Sequence, residues 1–429
     1  MEMHVLYLNK RLRLFVALFA AASVGGTTVA VYGQQADPAP KRQQKPPPAK
    51  PQQRPQTATK PAPVKTEALP PSQIGIGTLA KQAFMVDPQS STVLLFKDAD
   101  KPMHPSSMAK MMTIHLLFDE LAAGRMNLDT RFRVSDRARA MGGSRMFLEI
   151  GSEVRIEDLI RGMIVQSGND ACVVVAEGIA GTEEAFAERM NKRAQEIGMT
   201  ATVFKNASGW PVDGQITTAR DIALLAWHTI STYPKYYRYY AETEMTYNNI
   251  HQDNRNRVLK TTPGADGLKT GHTEEGGYGQ ATSAVRDGRR LILVLNGMVT
   301  MAERASETAR IMEWGFREST NTTIFRAGDT VVEAPVWLGT ADKVPLTVSG
   351  PVIVTMPTGQ SPQPRVVARF DGPMAAPIAK GTKAGAVVVT LADGKVIEQP
   401  LETAADVPRL GPVSRVASLL RHYLFGWLS

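Results

Sequence analysis

"GADGLKTGHTEEGGYGQATSAV", residues 264–285, is the most informative stretch of the chain. Between its glycines, at the start of a strand-like segment, stand Lys269, Thr270, Gly271 and His272. An isolated Lys-Thr-Gly is most often a charged strand end next to a turn. The alternative is the edge of an active site that binds an anion or a carbonyl group. That alternative requires catalytic partners elsewhere in the chain.

The first candidate partner is "SMAK", residues 107–110, which follows a helix-start signal at Pro105. Ser107 and Lys110 are three residues apart, so on a helix the amine can reach the hydroxyl. Serine needs an adjacent base to act as a nucleophile, and lysine becomes one when burial or a second cation lowers its pKa. A helix N-terminus also favours developing negative charge. Alone, this pattern is most often a helix cap and a solvated lysine.

The second candidate is "QSGND", residues 166–170, which we expect in a loop after a helix. The Ser167 hydroxyl could relay a proton, and the Asn169 amide could hold a substrate amide and orient a lysine. A lone Ser-Gly-Asn is more often a turn. The three motifs in this order, however, are typical of serine acyl-transferring enzymes that handle penicillin. The set predicts that Lys269 and Thr270 bind a substrate carboxylate and that their strand aligns an extended peptide.

Apolar periodicity predicts the fold around these motifs. A hairpin is expected at "AFMVDPQSSTVLLF", residues 83–96, and a helix follows Pro105. Further helices are predicted at 157–181, 183–199, 218–230 and 304–318, and a strand at 289–298. Strands at both ends with helices between them predict an α/β (α+β) catalytic domain, one antiparallel sheet covered by helices, over residues 73–318. Short alternating runs then predict a small all-β domain, a β-sandwich, at 319–406.

The N-terminal region carries most of the net charge. Residues 1–72 hold ten Lys or Arg and three Asp or Glu, whereas the remaining residues are nearly neutral, which argues against a nucleic-acid partner. A basic start and the short apolar run Leu14–Ala22 predict a signal peptide at 1–33. The Pro-, Gln- and Lys-rich residues 34–72 are predicted to be a disordered tether. The single cysteine, Cys172, excludes an intrachain disulfide.

The C-terminal residues 410–429 predict a basic amphipathic helix. Its apolar stripe consists of Val413, Val416, Leu420, Leu424 and Trp427. Such a helix lies in a membrane interface, and the alternative is packing on the chain's own β-domain. Together with the signal peptide, it predicts an exported, periplasmic protein that is peripherally attached to the cytoplasmic membrane.

The similarity to a known family is not limited to the three motifs but includes the residues around them. In residues 87–113, 142–181, 266–284 and 314–318 the chain resembles the low-molecular-mass penicillin-binding proteins, the D-alanyl-D-alanine carboxypeptidases of serine peptidase family S11. The resemblance covers roughly residues 76–429, and only the long tether departs from it. It implies a penicillin-binding/β-lactamase-like catalytic domain, peptidoglycan stem peptides as substrates, β-lactam antibiotics as covalent inhibitors, and no cofactor or metal.

The resemblance also implies residue roles. Ser107 would attack the carbonyl between two D-alanines, with Lys110 as its general base and with Ser167 and Lys269 passing the proton to the leaving amine. Asn169 would hold the substrate backbone. The oxyanion hole would use the backbone N–H groups of Ser107 and His272, and Arg304 would lie near the substrate carboxylate. Residues 137–151, which include Arg145, would be the loop bordering the site.

Other functions share parts of this pattern. A class A β-lactamase would add a Glu-x-x-Leu-Asn segment, and none lies between Ser167 and Lys269. A D,D-endopeptidase uses the same catalytic set, and the β-domain and anchor favour the carboxypeptidase. An inactive peptidoglycan-binding module is the alternative outside enzymes, and covalent labelling by a penicillin distinguishes the two. The seven histidines show no metallopeptidase spacing.

Overall fold

The protein's structure, a computed structural model, describes residues 3–8, 75–360, 363–391 and 394–425. The predicted tether and most of the predicted signal peptide lie outside these ranges. In chain order, the strands are β1 (Met3–Leu8), β2 (Gln82–Asp87), β3 (Thr92–Lys97), β4 (Arg131–Arg133), β5 (Glu153–Arg155), β6 (Glu244–Tyr247), β7 (Ile250–Asp253), β8 (Ala265–Thr273), β9 (Gly277–Arg286), β10 (Arg289–Met298), β11 (Ser319–Phe325), β12 (Thr330–Trp337), β13 (Lys343–Val348), β14 (Val352–Pro357), β15 (Arg365–Asp371), β16 (Met374–Ala375), β17 (Lys383–Thr390) and β18 (Val396–Thr403). The α-helices are α1 (Lys110–Ala122), α2 (Asp136–Ala140), α3 (Ile156–Arg161), α4 (Asn169–Ala180), α5 (Glu183–Glu196), α6 (Ala219–Thr232), α7 (Pro234–Tyr237), α8 (Val258–Thr261), α9 (Met301–Glu318) and α10 (Pro412–Phe425). Single turns of other helix types are the 3₁₀ turns Ser106–Ala109 and Arg238–Ala241 and the π turn Gly162–Gln166.

The catalytic domain is built on a five-stranded antiparallel sheet in the order β3-β2-β10-β9-β8. Both faces of this sheet are covered by helices. In strand β10, successive apolar side chains point to opposite faces of the sheet. Ile292 and Val294 pack into the core formed by the helices that follow Ser107, whereas Leu291 and Leu293 pack against α9 on the other face. The predicted antiparallel sheet covered by helices is confirmed, and so is the hairpin of β2 and β3.

Three of the helices begin at a threonine whose side chain accepts a backbone N–H. Thr182, Thr218 and Thr300 cap α5, α6 and α9 in this way. Each of these helices also carries an acidic residue in its first turn, where the helix dipole favours negative charge. Capping and charge together therefore define the starts of helices that surround the site.

Two sequence predictions differ from the structure in detail. The helix expected over 157–181 is interrupted, because Ser167 has a left-handed backbone with φ of 65° and a helix cannot continue through it. The chain resumes helical structure at Asn169. Lys269 stands inside β8 rather than at its start, because the ladder to β9 already begins at Ala265.

Whereas β4 with β5 and β6 with β7 form separate two-stranded sheets, strands β11 to β18 form the β-domain. Its larger sheet has the order β1-β15-β17-β18-β13-β12-β16, and β11 pairs separately with β14. The core is aliphatic, with Leu346, Val366 and Val387 fully buried. The N-terminal strand β1 pairs in parallel with β15 at the edge of the larger sheet. The predicted all-β domain after the catalytic domain is confirmed.

A buried carboxylate joins the two domains. Asp87 of β2 is fully buried and accepts hydrogen bonds from Arg289 Nε and Asn321 Nδ2, both at 2.8 Å. Arg289 also donates to the Ser319 hydroxyl at 2.8 Å, at the start of β11. A buried charge with charged and polar partners on both sides fixes the direction in which the chain leaves the catalytic domain.

Candidate active site

The Ser107 side chain lies in a tight, supported turn at the start of α1. Ser107 is partly exposed within the turn Ser106–Ala109, and Ser106 has a positive φ of 47°, a conformation that needs support from its surroundings. The Ser106 hydroxyl donates to Thr273 Oγ1 at 3.3 Å. Gly209, with φ of 79°, lies so close that an added Cβ would be 1.8 Å from the Ser106 carbonyl oxygen. Only glycine fits there, and its contact holds the turn Ser106–Ala109 in place.

The Lys110 amine is fully buried and has three polar neighbours. Its Nζ lies 3.0 Å from Ser107 Oγ, 2.7 Å from Asn169 Oδ1 and 2.5 Å from the Ser208 carbonyl oxygen. The two carbonyl-type oxygens can only accept hydrogen bonds, so they take two N–H groups of the amine. In neutral lysine the remaining position is a lone pair, and it faces the Ser107 hydroxyl. The arrangement therefore suits a base that removes the serine proton.

The surroundings of Lys110 make this amine easier to deprotonate. Burial, the main cause, lowers its pKa from 10.5 to about 8, and the positive charge of Arg255 acts in the same direction. Cys172 and Asp170 partly oppose the change. Cys172 itself is buried, and burial raises the pKa of its thiol to about 12, so its sulfur is an inert part of the core.

Ser167 and Asn169 reach the site from the break between two helices. Ser167 is almost fully buried in the left-handed position, and Asn169 is the first residue of α4. The Asn169 side chain donates from Nδ2 to the Gly142 carbonyl oxygen at 2.8 Å while its Oδ1 accepts from Lys110. Asn169 thus orients the lysine, as predicted. A contact of this amide with the substrate backbone stays a prediction.

The loop predicted at 137–151 borders the site, and Asp170 holds it there. The buried Asp170 carboxylate accepts the backbone N–H of Met146 at 2.9 Å and that of Leu148 at 3.3 Å. The Asn169 backbone N–H donates to the Ser144 carbonyl oxygen at 2.7 Å. Arg145 of this loop places its guanidinium 5.4 Å from the centre of the Phe147 ring.

Strand β8 brings the Lys-Thr-Gly motif to Ser107. It is the terminal strand of the five-stranded sheet, so among the described strands its outer edge has no partner. A Cβ added to Gly271 would lie 3.3 Å from the Ser107 backbone nitrogen and 3.0 Å from Ser106 Cβ, which shows how closely the strand approaches the turn. An edge strand beside a nucleophile can pair with an extended peptide.

Lys269 is the second buried amine of the site. It is 1% exposed, and its Nζ donates to the Thr270 carbonyl oxygen at 3.0 Å. Burial, followed by the charges of Lys110, Arg255 and Arg304, lowers the pKa of Lys269 well below its usual value. A protonated amine in this environment is a stronger acid than an ordinary lysine, and it gives up its proton more readily.

Arg304 and Arg255 add two further positive charges. Arg304 is 4% exposed, and its Nη2 donates to the Arg255 carbonyl oxygen at 3.2 Å. Its buried Nε has no hydrogen-bond partner in the described structure, and burial lowers the pKa of Arg304 to about 10. The Arg255 side chain donates to Ser144 Oγ at 2.5 Å. A group of cations with an unused buried donor suits a carboxylate ligand.

His272 is exposed, and its ring packs on that of Tyr278 with 4.0 Å between the ring centres. Tyr278 is also the aromatic neighbour of Arg304, whose guanidinium lies 5.8 Å from the ring centre. Lys110 and Gly271 therefore lie directly at Ser107, and Asn169 reaches it through Lys110. Arg304 is linked to His272 through Tyr278 and to the backbone of Arg255. Whether the His272 backbone N–H serves an oxyanion stays a prediction.

The sequence analysis missed four contributors: the Ser208 carbonyl, Gly209, Arg255 and Asp170. Three of them had weak signals, since "NASGW" (206–210) is a turn pattern and Asp170 directly follows Asn169. Arg255 lies in "DNRNR" (253–257), which carries no recognisable motif. Its place in the site depends on how the chain leaves the hairpin of β6 and β7.

In the part of the chain that the structure describes, one group of side chains could hold a metal ion. Glu244, His251 and Asp253 lie on that hairpin, are exposed, and place one ligand atom each within 4.8 Å of one another. Lys260 already pairs with Asp253 at 3.0 Å. The side chains predicted to be catalytic do not belong to this group.

Comparison with known proteins agrees with the geometry. Residues 67–300 match the family model described as D-alanyl-D-alanine carboxypeptidase, and residues 320–409 match that of the penicillin-binding protein 5 C-terminal domain. The chain is 34% identical to the D-alanyl-D-alanine carboxypeptidase DacA of Escherichia coli (strain K12), over 81% of this chain and 89% of that protein. It is 36% identical to DacC of the same organism, over 82% and 90% of the two chains.

Solved structures are similar as well. The crystal structure of penicillin binding protein 5 from Haemophilus influenzae matches with a TM-score of 0.72 and 34% identity, over 80% of this chain and 100% of that chain. Penicillin-binding protein D2 from Listeria monocytogenes, in its ampicillin-bound form, matches with a TM-score of 0.53 and 28% identity, over 57% of this chain and 100% of that one. The chain belongs to the D-alanyl-D-alanine carboxypeptidases of serine peptidase family S11.

Proposed function

We propose that this serine peptidase removes the terminal D-alanine from peptidoglycan stem pentapeptides through an acyl-enzyme on Ser107. The observation that carries the proposal is the position of the Lys110 amine. Its two hydrogen bonds to Asn169 Oδ1 and the Ser208 carbonyl leave the lone pair of the neutral form facing Ser107 Oγ, 3.0 Å away. A serine activated in this way is a nucleophile for acyl transfer.

In the acylation step, Ser107 Oγ bonds to the carbonyl carbon between the two D-alanines while Lys110 takes the hydroxyl proton. The carbonyl oxygen becomes an oxyanion, and the backbone N–H groups of Ser107 and His272 stabilise it. Support for this pair comes from the close approach of Gly271 to the Ser107 nitrogen. Donors that are fixed before the charge develops contribute strongly to the rate.

Substrate binding uses the free edge of β8 and the cations next to it. The peptide lies along β8 as an added strand. Its terminal carboxylate is held by Thr270 and Arg304, with Arg255 nearby. The unpartnered, buried Nε of Arg304 supports this assignment, because a buried donor without a partner is costly unless a ligand satisfies it.

The leaving amine receives a proton as the C–N bond breaks. The proton that Lys110 took from Ser107 reaches this amine through the Ser167 hydroxyl and Lys269, which returns Lys110 to its neutral form. The lowered pKa of Lys269 supports its role in passing the proton on. Water then attacks the acyl-enzyme, with Lys110 again as the base, and releases the shortened peptide and free Ser107. The net reaction is hydrolysis of one amide bond.

The test of the proposal is release of D-alanine from a synthetic stem pentapeptide by the purified protein, measured by chromatography. We expect stoichiometric release of one D-alanine per peptide and no further cleavage. A folded wild-type protein that releases none would favour the inactive peptidoglycan-binding module. Cleavage of a cross-linked peptide dimer instead of the pentapeptide would favour the endopeptidase.

β-Lactam antibiotics are proposed as covalent inhibitors, because their strained amide offers Ser107 the same kind of carbonyl. The ampicillin-bound state of the similar Listeria protein supports this proposal. The acyl-enzyme formed from a β-lactam would persist longer than in a class A β-lactamase, because the chain carries no deacylating Glu-x-x-Leu-Asn segment between Ser167 and Lys269.

The rate of acylation should rise with pH and level off above an inflection near the Lys110 pKa. Only neutral Lys110 accepts a proton, and its pKa of about 8 leaves about one molecule in ten neutral at pH 7. The measurement is the second-order rate constant for benzylpenicillin between about pH 6 and about pH 10.

Replacing Arg255 by glutamine gives the control for this pH dependence. It removes a positive charge that lowers the pKa of Lys110, so the inflection should move to higher pH. A rate that falls as pH rises, or an inflection near the usual lysine value of about 10.4, would contradict the role of Lys110.

We further propose that the mature protein is exported to the periplasm and attached to the cytoplasmic membrane by α10. Three apolar side chains of this helix support the proposal, because Val413, Val416 and Leu420 are 83%, 57% and 56% exposed. They are therefore not packed on the β-domain. No described helix is both long and apolar enough to cross a bilayer, and an amphipathic helix lying in the interface needs no such length.

Deleting residues 411–429 should release the protein from membranes to the soluble fraction, provided that the signal peptide is removed. The measurement is sedimentation of membranes from cells that express each form. A full-length variant with Val416→Asp and Leu420→Asp is the matched control, because it keeps the chain length and changes only two residues in the middle of the apolar stripe. If both variants still sediment with membranes, the anchor lies in residues 14–22 or in the tether.

A further inference from the structure

Trp210 is a large, partly exposed aromatic residue directly beside the catalytic turn. Its side chain is 44% exposed, whereas most large aromatic side chains of the catalytic domain are buried. The two residues before it both contact the catalytic machinery. The Ser208 carbonyl accepts from Lys110 Nζ at 2.5 Å, and Gly209 lies against the Ser106 carbonyl.

The loop that carries Trp210 is held rigidly. Asn206 Oδ1 accepts the backbone N–H groups of Ser208, Gly209 and Trp210 at 3.2, 2.8 and 3.0 Å. The Trp210 carbonyl in turn accepts from the side chains of Asn206 and Gln215 at 2.9 and 2.8 Å. A side chain on such a closed turn is presented in a fixed position, which is what substrate positioning requires.

The indole ring lies on the two glycines of the loop that borders the site. A Cβ added to Gly142 would be 3.1 Å from Trp210 Cη2, and one added to Gly143 would be 3.1 Å from Trp210 Cζ3. That second point is also 3.1 Å from Asn169 Nδ2. The indole and the Asn169 amide are therefore neighbours, and side chains at the two glycines would crowd the ring.

We propose that Trp210 determines acyl-donor specificity by contacting the apolar part of the substrate on the acyl side of the scissile bond. In a stem peptide this part is the aliphatic side chain that precedes the two D-alanines, and in a penicillin it is the acyl group on the amino nitrogen at C6 of the β-lactam ring. The inference rests on the proposed function, because it assigns a ligand group to the same site.

The charges in the site support this direction. In the proposed binding mode Thr270 and Arg304 hold the terminal carboxylate, so the acyl donor extends from the scissile carbonyl toward the Asn169 side of Ser107. Trp210 stands with Asn169 and Lys110 beside the nucleophile, and part of its ring is open to solvent. An open indole supported on one face by backbone is suited to cover an apolar group with the other.

The test compares two penicillins that differ only in the acyl group. Benzylpenicillin carries a phenylacetyl group, and 6-aminopenicillanic acid carries none. Second-order acylation rate constants are measured for the wild type, Trp210→Phe and Trp210→Leu. We expect Trp210→Leu to acylate with benzylpenicillin about tenfold more slowly and with 6-aminopenicillanic acid less than about threefold more slowly. Trp210→Phe should recover most of the loss.

A second readout uses the peptide reaction. With diacetyl-L-Lys-D-Ala-D-Ala as substrate, Trp210→Leu should raise KM while kcat changes little, because contact with a remote group affects binding in ground and transition states alike. Equal losses with both penicillins, or a fall in kcat alone, would overturn the inference. Trp210 would then act only by supporting Gly142, Gly143 and Asn169.

The failure of this inference can be told apart from failure of the proposed function. If the wild type acylates with neither penicillin, the serine mechanism is wrong and the specificity inference falls with it. If the wild type acylates but the two penicillins respond alike to Trp210→Leu, only the specificity inference is overturned. Thermal unfolding of each variant confirms that the compared proteins are folded.

Discussion

Replacing Ser107 by alanine should reduce D-alanine release and penicillin acylation by at least about 10⁴-fold, because no other hydroxyl can take its place at the lone pair of Lys110. The change removes one oxygen from a partly exposed side chain, so the fold should be unaffected. The measurement is the rate of D-alanine release together with the thermal unfolding midpoint, which should stay within a few degrees of the wild type.

Ser106→Ala is the matched control, because Ser106 is the adjacent serine in the same turn. Its hydroxyl donates to Thr273 Oγ1 and does not face Lys110. We expect this variant to be slower but clearly active, because the turn loses one supporting hydrogen bond. If Ser107→Ala kept its activity and Ser106→Ala lost it, the nucleophile would be Ser106 and not Ser107.

Replacing Lys110 should lower the acylation rate by about 10²- to 10⁴-fold, the usual contribution of a general base. The informative variant is Lys110→Arg, because arginine keeps the positive charge but stays protonated at any accessible pH. Lys110→Met removes both the charge and the base. The measurement is the benzylpenicillin acylation rate over the same pH range as for the wild type, and neither variant should show the inflection near pH 8.

The comparison of the two Lys110 variants separates proton transfer from electrostatics. If Lys110 acts as the base, both variants lose activity to a similar degree. If it acts only through its charge, Lys110→Arg stays near the wild type, which would contradict the mechanism. Lys110→Met also leaves Asn169 Oδ1 and the Ser208 carbonyl without a donor, so its unfolding midpoint must be measured to exclude loss of the fold.

The contacts among Ser107, Lys110 and Asn169 could be predicted from the sequence because these residues occur in short motifs with fixed chemical needs, and their catalytic roles stay a proposal. Ser107 and Lys110 require helical spacing, and Lys269 requires a strand beside them. The antiparallel sheet and its covering helices could also be predicted, because apolar residues recur along each segment with the period of a strand or of a helix.

The features of the site that could not be predicted from the sequence depend on contacts between segments that are far apart along the chain. Ser208 contributes its backbone carbonyl, which every residue type has, so the sequence does not reveal this contact. The carbonyl nevertheless takes one of the three positions around the Lys110 amine. Arg255 lies in the site because the hairpin of β6 and β7, which precedes it, sets the position of this segment. Its partner Ser144 is 111 residues away along the chain. The break at Ser167 was hidden within an apolar run that continues on both sides of it.

The central claim is that Ser107 forms the acyl-enzyme, and mass spectrometry tests it most directly. The sample is the full processed chain, which keeps α10 in place. It is exposed briefly to benzylpenicillin, digested, and the modified peptide is sequenced. The account predicts a mass increase of one intact drug, located on Ser107. An adduct on another residue, or no adduct on folded protein, would contradict it.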